Sequence, residues 1–196
     1  MSTSDHSSPY HHGDLRNALV RAGLDLLEAQ GPAGVSLREV ARRAGVSHNA
    51  PYRHFANREA LLAAIATEGF GELGDALTAA APDARDARGL GRAYVAFARA
   101  RPALYLLMFG PEIRKDQYPE LHAAGGRALG VLERAIASRP GVADGRAATI
   151  GAWALVHGLA HLLADRQLTD DLLQPAAFDR LVDTALGIYG RGLRGG

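Results

Sequence analysis

The sequence predicts an all-α protein: an N-terminal three-helix head, joined by a long helix to a second, larger helical domain. Three observations predict it. Apolar residues recur at helical spacing from Gly13 to Tyr189. No segment alternates apolar and polar residues as a strand would, and no internal repeat stands out. Ser36 to Phe55 reads as two short helices joined by a tight turn, a helix-turn-helix whose natural use is to lay its second helix in a DNA major groove.

The first helix spans Gly13 to Gln30, where Leu15, Ala18, Leu19, Ala22, Leu26 and Leu27 form one apolar stripe. Asp14 in its first turn suits the helix dipole, and Gly31-Pro32 ends it. Ser36-Leu-Arg-Glu39 is a capping box that fixes the start of the second helix. Gly45 takes the left-handed conformation that stops this helix, and Val46 plugs the turn. The reading helix is expected over His48 to Phe55 with Ser47 as its cap. Local rules conflict there. Pro51 lacks the amide that bonds back to Ser47 and disfavours helical geometry at Ala50. The first turn is therefore expected to be loose, or the regular helix to begin nearer Pro51, with His48 and Asn49 on a semi-extended edge.

Asn57 caps a fourth helix running to about Ala80, with Leu61, Leu62, Ile65, Phe70, Leu73 and Leu77 on its apolar face. Its length makes it the connector. Helical patterns then follow over Gly89–Arg101, Ala103–Phe109, Gln117–Ser138, Ala147–Ala164 and from Pro175 to the region of Tyr189. Ala147–Ala164 is nearly apolar all round and is expected to be buried on more than one side. Asp165–Gln174 reads as a polar loop.

Composition excludes several classes. The chain has no cysteine, so neither disulfides nor thiolate metal sites hold it, which suits a reducing cytoplasm. No apolar run is read as long enough to span a bilayer, no membrane partner is expected, and Met1–Pro9 lacks a signal peptide's apolar core. Residues 1–11 are expected to be a disordered tail. The net charge of +1 says little, but its distribution says more. Between Ser36 and Arg58 stand Arg38, Arg42, Arg43, Arg53 and Arg58 against the single acid Glu39. No phosphate-binding glycine loop, nucleophile elbow or HExxH motif supports an enzyme.

Three pieces align with a known family: His12-Gly-Asp-Leu-Arg16, Ala44-Gly-Val-Ser47 with Tyr52-Arg-His-Phe55 and Asn57-Arg-Glu, and Trp153-Ala-Leu-Val-His157-Gly158. Together they resemble the TetR/AcrR family of bacterial transcriptional regulators, and the last piece resembles its subgroup with a Trp-His-Gly signature. The resemblance implies a cytoplasmic homodimer that binds a palindromic double-stranded DNA operator, usually as a repressor. It implies a DNA head over residues 12–57, and a ligand-binding and dimerisation domain over 58–196 whose last two long helices pair. It further implies a small-molecule effector in the C-terminal core and no cofactor. A ligand-independent DNA-binding scaffold is the alternative.

The candidate DNA contacts follow. Asn49 suits a two-point contact with adenine, and His48 and Arg53 suit a base edge or phosphate; solvated helix surface is the alternative for all three. Tyr52 and His54 match family positions that bond backbone phosphates. Ser36, Arg38, Ser47 and Arg58 lie near helix starts, where amides and the dipole favour phosphate, although capping is the simpler role for Ser36 and Ser47. Phe55 is assigned to the core. Candidate effector contacts are Tyr94, Phe97, Tyr105, Met108, Phe109, Trp153, His157 and His161, which combine aromatic bulk with a few polar tips; plain core packing is the alternative. His157, His161 and Asp165 share one helix face at metal-compatible spacing, but packing explains His157 more simply, and no metal is assigned there or at Tyr10-His-His12.

Overall fold

The computed structural model describes residues 12–80, 86–137, 142 and 144–192, with side chains from Leu15 onward. The expected tail, the break after Ala80 and the turn at Arg139–Gly141 lie outside them, as do the Tyr10-His-His12 ligands. The chain divides into two compact units, residues 1–65 and 66–196. Among the described residues every regular element is helical.

In the first unit, α1 (His12–Gln30) and α2 (Leu37–Arg43) pack together, and α3 begins at Arg58. Leu19, Leu26, Leu27, Val35, Val40, Phe55 and Leu61 are almost wholly buried. Gly23 permits the close approach at their centre: a Cβ there would stand 2.7 Å from Ile65 Cδ1. Burial of Leu61, Leu62 and Ile65 carries this unit past residue 57, into the first turns of α3.

The helix-turn-helix is set by capping chemistry. Ser36 Oγ accepts the Glu39 amide at 3.1 Å, so half of the capping box forms. Glu39's carboxylate turns instead to Arg42 Nε, at 3.0 Å. At the other end Gly45 has φ 69°. The Val46 amide bonds to the Ala41 carbonyl at 3.0 Å and the Gly45 amide to Arg42's at 3.3 Å, the paired closure of a Schellman motif.

The second helix of the motif departs from expectation. Instead of an α-helix over His48–Phe55 the chain forms a single 3-10 turn, Ala50–Arg53. Asn49 precedes it with φ −88° and ψ −15°, helical values rather than a semi-extended edge, and no side chain caps the turn. Ser47 contributes its carbonyl, which accepts the Ala50 amide at 2.9 Å. Pro51, itself buried, lacks the amide a continuous α-helix from Ser47 would need, so the tighter turn takes its place.

α3 (Arg58–Ala80) starts from Asn57, whose Oδ1 accepts the Ala60 amide at 2.9 Å. The second unit adds α4 (Ala87–Ala100), α5 (Pro102–Phe109), α6 (Pro119–Ala137), α7 (Gly145–Ala164), the one-turn α8 (Asp170–Leu173) and α9 (Pro175–Gly192). The expected loop over Asp165–Gln174 thus contains a helical turn. Asp86 and Asp144 cap α4 and α7 by accepting the amides of Gly89 and Ala147. α4 lies at the centre of the unit, packed on α5, α6, α7 and α9. Ion pairs Arg92–Asp183 and Arg99–Asp179 tie α4 to α9.

α7 corrects two expectations. It is 20 residues long and holds an 18-residue window of mean hydropathy 1.4, so it is long and apolar enough to cross a membrane by length and composition, contrary to the reading that no such run exists. It is also not buried on most sides: only 22% of its apolar window is buried. Ala148, Val156 and Ala160 face inward, whereas Ala147, Ile150, Ala154 and Leu162 are exposed. A helical period drives only one stripe inward, whatever the residues opposite it are.

Candidate functional site

The exposed side of the helix-turn-helix carries the candidate DNA contacts. Ser36, Arg38, Ser47, His48, Asn49, Arg53 and Arg58 are exposed, and Tyr52 is 58% exposed. His54 is half-buried, while Phe55 is only 2% exposed and belongs to the core. Ser36, Arg38 and His48 share the wall of one shallow hollow with Val46 and Arg42. The other candidates do not line that hollow.

The basic residues of this face differ in what holds them. Arg42 is bonded to Glu39, and Arg43 reaches Asp25 at 3.2 Å. Arg38 and Arg53 form no ion pair among the described residues, so their donors face outward. Arg58 donates from Nε to the Val35 carbonyl at 2.8 Å and from Nη2 to the Pro32 carbonyl. It therefore stitches α3 to the loop before α2, a role that sequence spacing does not reveal because its partners are backbone atoms.

The second unit encloses a cavity of about 440 Å³. Leu73, Leu90, Leu129, Leu132, Ile136 and Val156 supply much of its wall, and Asp86 and Arg88 are its charged lining residues. Of the effector candidates, Tyr94, Phe109 and Trp153 line it. Phe97, Tyr105, Met108, His157 and His161 do not. Met108 and Tyr105 are fully buried, with Met108 packed beneath Gly69, where a Cβ would stand 2.8 Å from its sulfur. Phe97 is likewise buried, and His161 is exposed. Helical spacing groups them helix by helix, Tyr94 with Phe97 on α4, Tyr105 with Met108 and Phe109 on α5, and Trp153 with His157 and His161 on α7. Which of them meets a neighbour and which meets empty space is a matter of packing.

A hydrogen-bonded cluster stands behind the cavity wall. Tyr94 Oη lies 3.0 Å and Tyr105 Oη 2.9 Å from His157 Nδ1, and Tyr105 Oη is also 3.2 Å from the His157 carbonyl. Nδ1 has one lone pair. The hydroxyls are thus divided when Tyr94 donates to Nδ1 and Tyr105 to the carbonyl. Burial lowers the His157 pKa, helped by nearby His161 and Lys115, which favours the neutral ring, and in its Nε2–H tautomer Nδ1 accepts. Burial pushes the Tyr94 hydroxyl up to about 12 and raises Tyr105 further, so both remain donors. Phe109 completes the cluster, edge-on to His157 at 4.6 Å. His161 stacks on His157 at 6.1 Å. No group of three His, Cys, Asp or Glu residues is arranged to hold a metal ion among the described residues.

Two family models match the chain. Residues 19–65 match "Bacterial regulatory proteins, tetR family", and residues 87–185 match "Tetracyclin repressor-like, C-terminal domain". An HTH-type transcriptional regulator of Mycobacterium tuberculosis is 29% identical over 170 residues, covering 82% of this chain; the match spans 64% of that relative's length. The class A tetracycline repressor of transposon 1721 in Escherichia coli is 48% identical over 50 residues, covering 26% of this chain and 23% of the repressor. A solved structure of a Rhodococcus protein of unknown function superimposes with a TM-score of 0.79 at 36% identity, covering 95% of this chain and 99% of that one.

Proposed function

This chain belongs to the TetR family of bacterial transcriptional regulators, and from that premise we infer that it binds a palindromic operator as a homodimer and leaves it when a small molecule fills the second unit. It acts as a repressor in the cytoplasm. The observation that carries the DNA contact is the exposed side of the helix-turn-helix. There Arg38, His48, Asn49, Tyr52 and Arg53 project from a motif fixed by the Ser36 cap and the Gly45 turn. Asn49 reads a base edge, with His48 and Arg53 beside it. Tyr52, His54, Arg38, Ser36, Ser47 and Arg58 hold the phosphates.

The exposed apolar stripe of α7, with Ile150 47% and Leu162 36% exposed, supports pairing of two copies through α7 and α9, as does Ile188 of α9 at 60%. Two heads spaced one helical turn apart, about 34–36 Å, then meet successive major grooves. The cavity supports effector binding through Tyr94, Phe109 and Trp153. A hundredfold loss of operator affinity needs about 2.7 kcal/mol of preference for the released conformation.

Genome-wide mapping of bound DNA, followed by band shifts on the recovered sites, tests this. The expected result is saturable binding to an approximate palindrome. Asn49→Ala reduces discrimination between sites by about 1–3 kcal/mol. Arg38→Ala weakens all sites alike and lowers the salt slope by about 1. Equal loss on every sequence for Asn49→Ala removes its base-reading role. Ile150→Glu is expected to yield monomers by analytical ultracentrifugation.

A further inference from the structure

We propose that the effector is an uncharged, mainly hydrocarbon molecule, held by the apolar walls of the second unit's cavity without an ion pair to the protein. This rests on the effector reading above and adds the chemical class of the ligand.

The lining carries two charges, and both are turned to partners outside it. Asp86 Oδ1 accepts the Gly89 amide at 2.8 Å, capping α4, and its charge acts on Arg92. The Arg88 guanidinium lies against α9: a Cβ on Gly187 would stand 2.9 Å from its Nη2, and its charge acts on Asp183. Arg92, Asp183 and Gly187 are not among the lining residues. At the rim, Asp86 already supplies the negative charge that the start of α4 favours. A bound anion or cation would therefore leave water and meet no fixed opposite charge within the walls, which is costly in a low-dielectric interior.

The polar tips on the rest of the lining are directed at the protein. The Tyr94 hydroxyl lies 3.0 Å from His157 Nδ1, and Trp153 is hydrogen-bonded to the same hydroxyl. The Tyr189 hydroxyl donates to the Ala148 carbonyl at 2.7 Å, seated on α7 where a Cβ on Gly151 would stand 2.5 Å from it. These three side chains thus offer a ligand their rings. The other uncharged lining residues are Phe, Leu, Ile, Val, Ala and Gly. Such walls favour each methylene that leaves water to enter them.

Trp153 is the chain's sole tryptophan and lines the cavity, so its fluorescence reports occupancy without DNA. Hexanol, heptanol and octanol are titrated beside octanoate, its methyl ester and octylamine. Among the alcohols, affinity is expected to rise about fourfold per methylene. Octanol and methyl octanoate are expected to bind about tenfold more tightly than octanoate and octylamine. That order should persist in Arg88→Gln and in Asp86→Asn, because neither charge faces the ligand. Leu129→Phe, which narrows the cavity, is expected to weaken the neutral ligands. Equal affinity across head groups or preference for either charged one overturns the assignment. So does an order that changes in Arg88→Gln or Asp86→Asn, an affinity independent of tail length, neutral binding at full strength in Leu129→Phe, or no response. Failure here leaves DNA binding untouched. Neutral ligands that bind but leave operator affinity unaltered uphold the ligand class and remove the release mechanism instead.

Discussion

The two units put their chemistry in opposite places. The first has a closed core around Gly23, Ile65 and Phe55, and its candidate contacts stand on its outside. The second keeps a cavity within its core, lined by three of its candidate contacts, Tyr94, Phe109 and Trp153. A head that must meet a fixed groove gains from rigidity, because misplaced side chains read nothing. A unit that must change on binding gains from space that a ligand completes. The difference teaches that the same helical building blocks serve rigidity or response according to whether their apolar stripes are fully matched.

Paired core substitutions test that contrast most strongly. Phe55→Ala in the closed core is expected to cost about 3–5 kcal/mol and to abolish operator binding. Leu132→Ala enlarges a space that already exists, and its half-buried side chain loses less burial, so it should cost about 1–2 kcal/mol. Chemical denaturation followed by circular dichroism measures both; equal costs would remove the distinction between closed and open cores.

Tyr105→Phe is expected to cost about 1 kcal/mol, because Tyr94 still supplies a donor to His157 and no buried acceptor is stranded. Thermal melting should show it, with operator affinity unchanged. A loss several times larger would mean that the two tyrosines act as one cooperative network.

The same cluster sets a pH dependence. His157 has a folded pKa below its ordinary value, so on acidification the unfolded chain takes up the proton first. Stability is full above the ordinary histidine value of about 6.5 and declines as the pH falls below it. His161, Lys115, Tyr94 and Tyr105 surround the ring, and the first two reinforce the shift. Melts of the wild type between about pH 7.5 and about pH 5.5 should fall more steeply than those of His157→Gln. Parallel curves would assign the acid sensitivity elsewhere. The smallest effect is expected from Arg42→Ala: its pair with Glu39 lies in solvent, so the melting temperature should not move measurably.

Most of the fold is legible in residues that act on their own neighbours. Ser36, Gly45 and Asn57 set helix ends through amides three residues away or through their own φ, and each does so where the sequence places it. Pro51 announces a conflict in the same local terms, and the outcome is one 3-10 turn in place of an α-helix, with Pro51 buried. The cavity is less legible. Tyr94, Phe109 and Trp153 are identified by their type, whereas Arg88, Leu129, Leu132 and Leu186 carry no signal that separates lining from core.

The sequence by itself therefore determined the all-helical class, the helix-turn-helix and its arginine-rich segment, because periodicity, caps and charge are properties of a few consecutive residues. Only the tertiary structure decided that Arg58 holds a loop, that His157 accepts from two tyrosines, that α7 keeps an apolar stripe uncovered, and where the core is left open. Each of these joins side chains to partners from distant parts of the chain, or leaves them without one, and packing geometry alone selects which.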